Sequence, residues 1–111
     1  MPEIVQVTTT VGSKPDALRL AEVMVEARLA ACAQISGPID SVYRWQGKVE
    51  HTTEWYCHFK TSKLLSESLR TRLVSEHPYD VPEIIVVPIS NSYAPYAEWV
   101  IGETNRTEPD S

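Results

Sequence analysis

The stretch from Val49 to Lys60 alternates more cleanly than any other part of the chain. Odd positions carry Val49, His51, Thr53, Trp55, Cys57 and Phe59, and even positions carry Glu50, Thr52, Glu54, Tyr56, His58 and Lys60. One face turns apolar towards its end while the other stays polar, the period-two signature of a strand. Gln46-Gly47-Lys48 reads as a turn, and Ala33–Trp45 before it reads as a second long strand. Gly37-Pro38 interrupts that strand, and a proline there requires an edge position or a bulge. Two strands of about twelve residues each span roughly 40 Å. The helix expected over Ser13–Leu29, at about sixteen residues, spans roughly 24 Å. A hairpin of this length outruns the layer that covers it by something like 15 Å, and its projecting end carries Tyr43, Trp45 and Val49. With 111 residues the chain holds about one domain, so the expected cover is a neighbouring copy in a homo-oligomer.

The remaining elements follow from caps and periodicity. Ile4–Thr10 is β-branched and reads as strand one. Ser13 caps the first helix with Pro15 in its first turn, and Leu18, Ala21, Val25 and Leu29 form its expected apolar stripe. Ser62 is the expected cap of a second helix running to Glu76, with Leu65, Leu69 and Leu73 on one side. His77-Pro78-Tyr79-Asp80-Val81-Pro82 is a stiff loop. Glu83–Ile89 is the fourth strand, and its Ile84-Ile85-Val86-Val87 run predicts burial on both faces. Pro95 opens a third helix ending near Gly102. The order β-α-β-β-α-β, closed by right-handed crossovers, predicts an α+β ferredoxin-like plait. Its antiparallel sheet has the order 4-1-3-2, helices on one face, an extra C-terminal helix and a long β2-β3 hairpin. The domain is expected over 1–104, with 105–111 as a disordered acidic tail.

Charge and thiols exclude several classes. Fifteen acidic against ten basic residues give a net charge of −5, which argues against a nucleic-acid partner, because phosphate binding needs a positive patch. No uncharged run is long enough to span a bilayer, so no membrane partner is expected. Cys32 and Cys57 match neither a zinc spacing nor a disulfide framework. Both read as small buried thiols, and free thiols without a secretory signal point to a reducing, cytoplasmic compartment.

Several segments then recur in one order: Leu29-Ala30-Ala31-Cys32, Tyr43-Arg44-Trp45-Gln46-Gly47-Lys48-Val49-Glu50, Glu54, Lys60-Thr61 and His77-Pro78-Tyr79-Asp80-Val81-Pro82-Glu83-Ile84. Together they resemble the CutA family of divalent-cation tolerance proteins, over nearly the whole chain. The resemblance implies a ferredoxin-like subunit, a tight homotrimer, a cytoplasmic setting, and a link to copper and other divalent cations without an established enzymatic activity. It also implies a fold like that of the PII signalling trimers, which bind small effectors between subunits. Thr9, Glu76 and His77 stand where some copper-binding members look to have a cysteine and two successive histidines. A thiolate selects Cu(I), whereas imidazole and carboxylate suit harder divalent ions.

Within the expected plait, Thr9, Glu50, Glu54, Glu76, His77 and Glu83 fall at one end of the subunit, with Cys32 and Lys60 at the other. Cys57 and His58 point to opposite faces of their strand and cannot form a dyad. The surviving constellation is His77 with Glu50 and Glu54, imidazole plus carboxylate oxygens, as a shell for a divalent metal ion such as copper or zinc. Structural roles read equally well, with Glu50 and Glu54 as seam partners and His77 as a loop anchor. Lys60, Tyr79 and Glu83 are expected to line a cleft for an anionic or small ligand, with an ion pair to a glutamate as the alternative for Lys60. Tyr43, Trp45 and Trp55 are the expected trimer-interface anchors. The function expected is divalent-cation binding by a non-enzymatic trimer, and the alternative is a PII-like sensor or scaffold.

Overall fold

In the computed structural model, which describes residues 3–104, the order is β1 (Ile4–Val11), α1 (Lys14–Glu26), β2 (Cys32–Trp45), β3 (Lys48–Ser62), a 3-10 turn (Lys63–Leu65), α2 (Ser66–Glu76), β4 (Ile84–Ile89) and α3 (Ala94–Glu103). One four-stranded sheet has the order β2-β3-β1-β4, every neighbour antiparallel. This is the expected α+β plait and strand order. The expected tail, 105–111, lies outside the described residues. None of the described helices is long and apolar enough to cross a membrane.

Directly paired residues share a sheet face. Val5, Val7, Thr9 and Val11 therefore lie with Thr61, Phe59, Cys57 and Trp55 on the face that α1 and α2 cover. Ala17, Leu20, Ala21 and Met24 of α1 and Leu69 and Leu73 of α2 close this core. The opposite face carries Gln6, Thr8, Tyr56, His58 and Lys60, with Gln34 and Ser36 from β2. Thr8 Oγ1 lies 3.1 Å from His58 Nδ1 and Ser36 Oγ 3.4 Å from Nε2, so the middle of this face is a hydrogen-bonded polar surface, bordered on the β4 side by Ile85 and Val87.

Three local expectations are corrected. The buried stripe of α1 is Ala17-Leu20-Ala21-Met24, while Leu18 and Val25 are exposed. Both sets have helical spacing, and the side that packs on the sheet is the one carrying Ala17, Leu20, Ala21 and Met24. Arg28, at φ 61°, turns the chain out of the helix before Leu29. Ser62 stays in β3, its side chain caps nothing, and Leu65 sits in the 3-10 turn rather than in α2. Finally, β4 is an edge strand, and its Ile85, Val86 and Val87 are 48%, 37% and 47% exposed instead of buried on both faces. Ile84, paired with Thr9 on the helix side, packs against the core, whereas Ile85 and Val87 lie on the opposite face.

The hairpin does outrun its cover. Val11, the last residue of β1, pairs with Trp55, so Lys48–Glu54 extends past β1 by seven residues, roughly 23 Å. The turn places Gln46 at φ 52° and Gly47 at φ 80°, the left-handed pair that matches the twist of two strands. β2 gains one residue between Ser36 and Ile39 against Tyr56 and Glu54, a bulge at Gly37-Pro38. A Cβ on Gly37 would lie 2.7 Å from Trp55 Cε3, so glycine lets the indole lie against the β2 backbone. α3 packs on Ile4, Ala31 and Ile89, at the end of the sheet remote from the hairpin tip. It leaves Val42, Tyr43, Trp45 and Val49 exposed.

Candidate functional site

Past the end of β1, the hairpin and the 77–83 loop flank a cleft. Strand alternation sends Trp55 to the helix face and Glu54 the other way, into a cleft of about 520 Å³. Thr10, Ser41, Val42, Tyr43, Trp45 and Glu54 form its sheet side, and Tyr79, Asp80, Val81 and Glu83 form its loop side.

Glu54 is only 7% exposed. The Tyr79 hydroxyl donates to its Oε2 at 2.7 Å. A short bond from a hydroxyl to a carboxylate is charge-assisted and stronger than a neutral one. Burial first, and the Glu54 carboxylate second, push the Tyr79 phenol well above its ordinary range. It therefore remains a donor at any physiological pH.

His77 sits behind this pair as the anchor of the loop. Its Nε2 lies 3.0 Å from the Thr10 carbonyl and 2.9 Å from Thr9 Oγ1, and the Tyr79 N–H donates to its Nδ1 at 3.1 Å. A carbonyl only accepts and an N–H only donates, so Nε2 carries the proton and Nδ1 is bare. Thr9 Oγ1 donates its own hydrogen bond to the Glu83 carbonyl at 2.6 Å. Burial holds the imidazole below its ordinary value of 6.5, against the Thr10 bond, which raises it. A second ring proton would meet the Tyr79 N–H head-on. Glu76 plays a separate part: Arg19 donates to its carboxylate at 3.3 Å and its carbonyl at 3.0 Å, and Arg72 donates to its other oxygen at 3.2 Å. Arg19 ties α1 to α2 just before the loop begins, and Arg72 braces the same carboxylate from within α2.

The cleft brings together five of the nine residues expected to matter: Glu54, Tyr79, Glu83, Tyr43 and Trp45. His77 is adjacent, its ring centroid 5.0 Å from that of Tyr79, but both of its nitrogens already have partners. Glu50 pairs with Tyr43 on the projecting hairpin, five residues beyond the β3 partner of Val11. His77, Glu50 and Glu54 therefore do not converge within the chain. Among the described residues, no three His, Cys, Asp or Glu side chains gather as a metal shell. Lys60 lies at the far end of the sheet, and its ammonium donates to Gln34 Oε1 at 2.8 Å rather than to a glutamate. Trp55 packs in part on the chain's own core, with Lys14 Nζ 5.8 Å from its ring centroid. Asp80, Ser41 and Thr10 line the cleft without having been singled out by sequence. Asp80 alone carried a signal, its place inside the loop motif.

The thiols are structural. Cys57 is fully buried beside the Ala17 carbonyl at 3.8 Å, and burial pushes it up to about 12. Cys32 is half-buried rather than buried, 3.6 Å from the Tyr96 hydroxyl. Burial, then that contact, push Tyr96 up to about 12.

A family model described as CutA1 divalent ion tolerance protein matches residues 5–103. Protein CutA, chloroplastic, of Arabidopsis thaliana is 39% identical over 104 residues, 94% of this chain and 57% of the relative. The divalent-cation tolerance protein CutA of Thermus thermophilus is 39% identical over 100 residues, 90% of this chain and 95% of the relative. The crystal structure of CutA1 from Oryza sativa matches with a TM-score of 0.91 at 36% identity, covering 96% of this chain and 97% of that one. This chain thus spans little more than half the length of the Arabidopsis relative. The expectation of a cytoplasmic setting is overturned. The Arabidopsis relative is chloroplastic, and the similar CutA of Archaeoglobus fulgidus (31% identical, TM-score 0.84, covering 87% of this chain and 94% of that one) is periplasmic. The shared fold does not fix a compartment.

Proposed function

The chain belongs to the CutA1 divalent ion tolerance protein family, and from that premise we propose that it acts without catalysis, as a homotrimer that binds divalent cations, copper or zinc, at the seams between subunits. The observation that carries the proposal is the charge of the cleft. Glu54, Asp80 and Glu83 line it, and no lysine or arginine does, so its field favours a cation. Three carboxylates that do not converge in one subunit need oxygen or nitrogen from elsewhere to complete a metal shell. Glu50, carried out on the hairpin beside Tyr43, is positioned to supply it to a neighbour. The exposed Tyr43 and Trp45 on the hairpin and Ile85 and Val87 on the β4 edge are the apolar surface such a neighbour covers. A non-catalytic role is supported by the chemistry of the site: a phenol kept protonated, and an imidazole with both nitrogens engaged.

The volume of about 520 Å³ favours a second reading, a small effector held at the seam in the manner of the PII trimers. The test of the main proposal is calorimetric titration of the full chain with Zn²⁺ and Cu²⁺, alongside its mass by light scattering. Saturable heat that disappears in the Glu54→Gln/Glu83→Gln variant, with a mass of three subunits, is the expected result. No heat with either metal at micromolar concentration overturns cation binding, and a one-subunit mass overturns the trimer.

A further inference from the structure

We infer that Thr9 is the positioning residue of the cleft: its one buried hydroxyl holds both ends of the 77–83 loop and so fixes Tyr79, Asp80 and Glu83 opposite Glu54. The consequence for cation affinity rests on reading the cleft as a cation site, whereas the order of the loop needs no ligand.

Little else holds this loop. Among the described residues, positions 78–82 make no backbone–backbone hydrogen bond, and Asp80, Val81 and Glu83 are exposed. The β1–β4 ladder reaches Thr9 and Ile84, and Glu83 is the first residue beyond it. The bonds that remain come from side chains, and they meet on β1. Thr9 is fully buried. Its Oγ1 donates to the Glu83 carbonyl at 2.6 Å and stands 2.9 Å from His77 Nε2. The first and last residues of the loop therefore touch the same oxygen.

The direction of each bond is fixed by chemistry. The Glu83 carbonyl can only accept, so the hydroxyl spends its single proton there and turns its lone pairs to the imidazole. Nε2 carries a proton because it also faces the Thr10 carbonyl at 3.0 Å, and the Tyr79 N–H fills Nδ1 at 3.1 Å. The Tyr79 hydroxyl in turn donates to Glu54 at 2.7 Å. A series Glu54–Tyr79–His77–Thr9–Glu83 thus runs from the hairpin to the far end of the loop. Bonds in series polarise and strengthen one another, and losing the shared hydroxyl releases both ends together. Pro78 and Pro82 lock φ at two positions between the pins, so the loop has few conformations of its own and shifts as one piece. Valine has the shape of threonine but neither donates nor accepts, so Thr9→Val removes the pin and keeps the packing.

The experiment is amide hydrogen exchange of the full chain by nuclear magnetic resonance, without metal, for the unaltered protein, Thr9→Val and Thr9→Ser. The Tyr79 N–H is expected to exchange about tenfold faster in Thr9→Val and near the unaltered rate in Thr9→Ser, while the Val7 and Phe59 amides of the core ladder keep their rates. If Thr9→Val fails to fold, Thr9→Ala is compared with Thr9→Ser at the same amides. An unchanged Tyr79 rate overturns the inference. So does an acceleration that Val7 and Phe59 share, or one that serine does not reverse. Calorimetric titration with Zn²⁺ then reads the cleft. Affinity about five- to tenfold lower in Thr9→Val, and restored in Thr9→Ser, supports positioning of a cation site. Unchanged affinity beside faster Tyr79 exchange overturns the part assigned to Thr9 in the cleft. If none of the proteins binds Zn²⁺, the cation reading falls, and Tyr79 exchange still decides whether Thr9 pins the loop.

Discussion

Removing the Tyr79 hydroxyl isolates the bond on which the cleft is built. In Tyr79→Phe the ring keeps its packing, and Glu54 loses the donor 2.7 Å from Oε2. Hydrogen bonds to charged groups are worth about 1.5–3 kcal/mol net. The lower half of that range applies, because Oε1 already opens to the cleft and water can approach the carboxylate from that side. The expected cost is about 1.5–2 kcal/mol. Glu54→Gln keeps an acceptor at the same place but removes its charge. In that background Tyr79→Phe is expected to cost about 0.5–1 kcal/mol, a coupling of about 1 kcal/mol. Urea unfolding of the four proteins of the cycle, at one pH and one concentration, reads this directly. Equal costs in both backgrounds, within about 0.3 kcal/mol, would show that the bond carries no charge-assisted term and that Glu54 is solvated by other means.

Three further outcomes follow from the same structure. His77 is neutral in the fold and held below 6.5 by burial, so the unfolded chain binds its proton first as pH falls; stability is intact above about pH 6.5 and drains below it, by at most about 1.4 kcal/mol per pH unit for this group. Urea midpoints at pH 7.5 and 5.5 should fall less for His77→Gln than for the unaltered chain, and parallel slopes would remove His77 from the account. Thr61 Oγ1 is buried with no hydrogen-bond partner, so Thr61→Val should raise stability by about 1 kcal/mol, and a lower thermal midpoint would reveal a partner for the hydroxyl. Ile85→Lys with Val87→Lys places two charges on the exposed β4 edge and should reduce the mass in light scattering to one subunit; an unchanged mass would locate the interface elsewhere.

Much of the plait was readable because its signals are local. The Val49–Lys60 alternation, the Ser13 cap, which accepts from the Asp16 N–H at 3.2 Å, and the Gly37-Pro38 bulge each act through a few neighbouring residues. The α1 stripe was misjudged because Leu18 and Val25 are as apolar as the residues the helix buries, and which side is inward depends on where the sheet lies. His77 was legible as a loop residue beside Pro78. That both its nitrogens are consumed, by a carbonyl sixty-seven positions earlier and an N–H two positions later, was not. Glu50 and Glu54 look equivalent in sequence, four apart on one strand face. The end of β1 separates them, leaving one beneath Tyr79 and the other out on the hairpin.

Sequence alone determined the element order, the strand order and the excess length of the hairpin, because periodicity, capping and chain reach are properties of short segments. Only the tertiary structure decided which acidic groups share a cleft, which tryptophan faces outward and which histidine is already spoken for. Those depend on distances between segments remote along the chain, and on water being excluded where they meet.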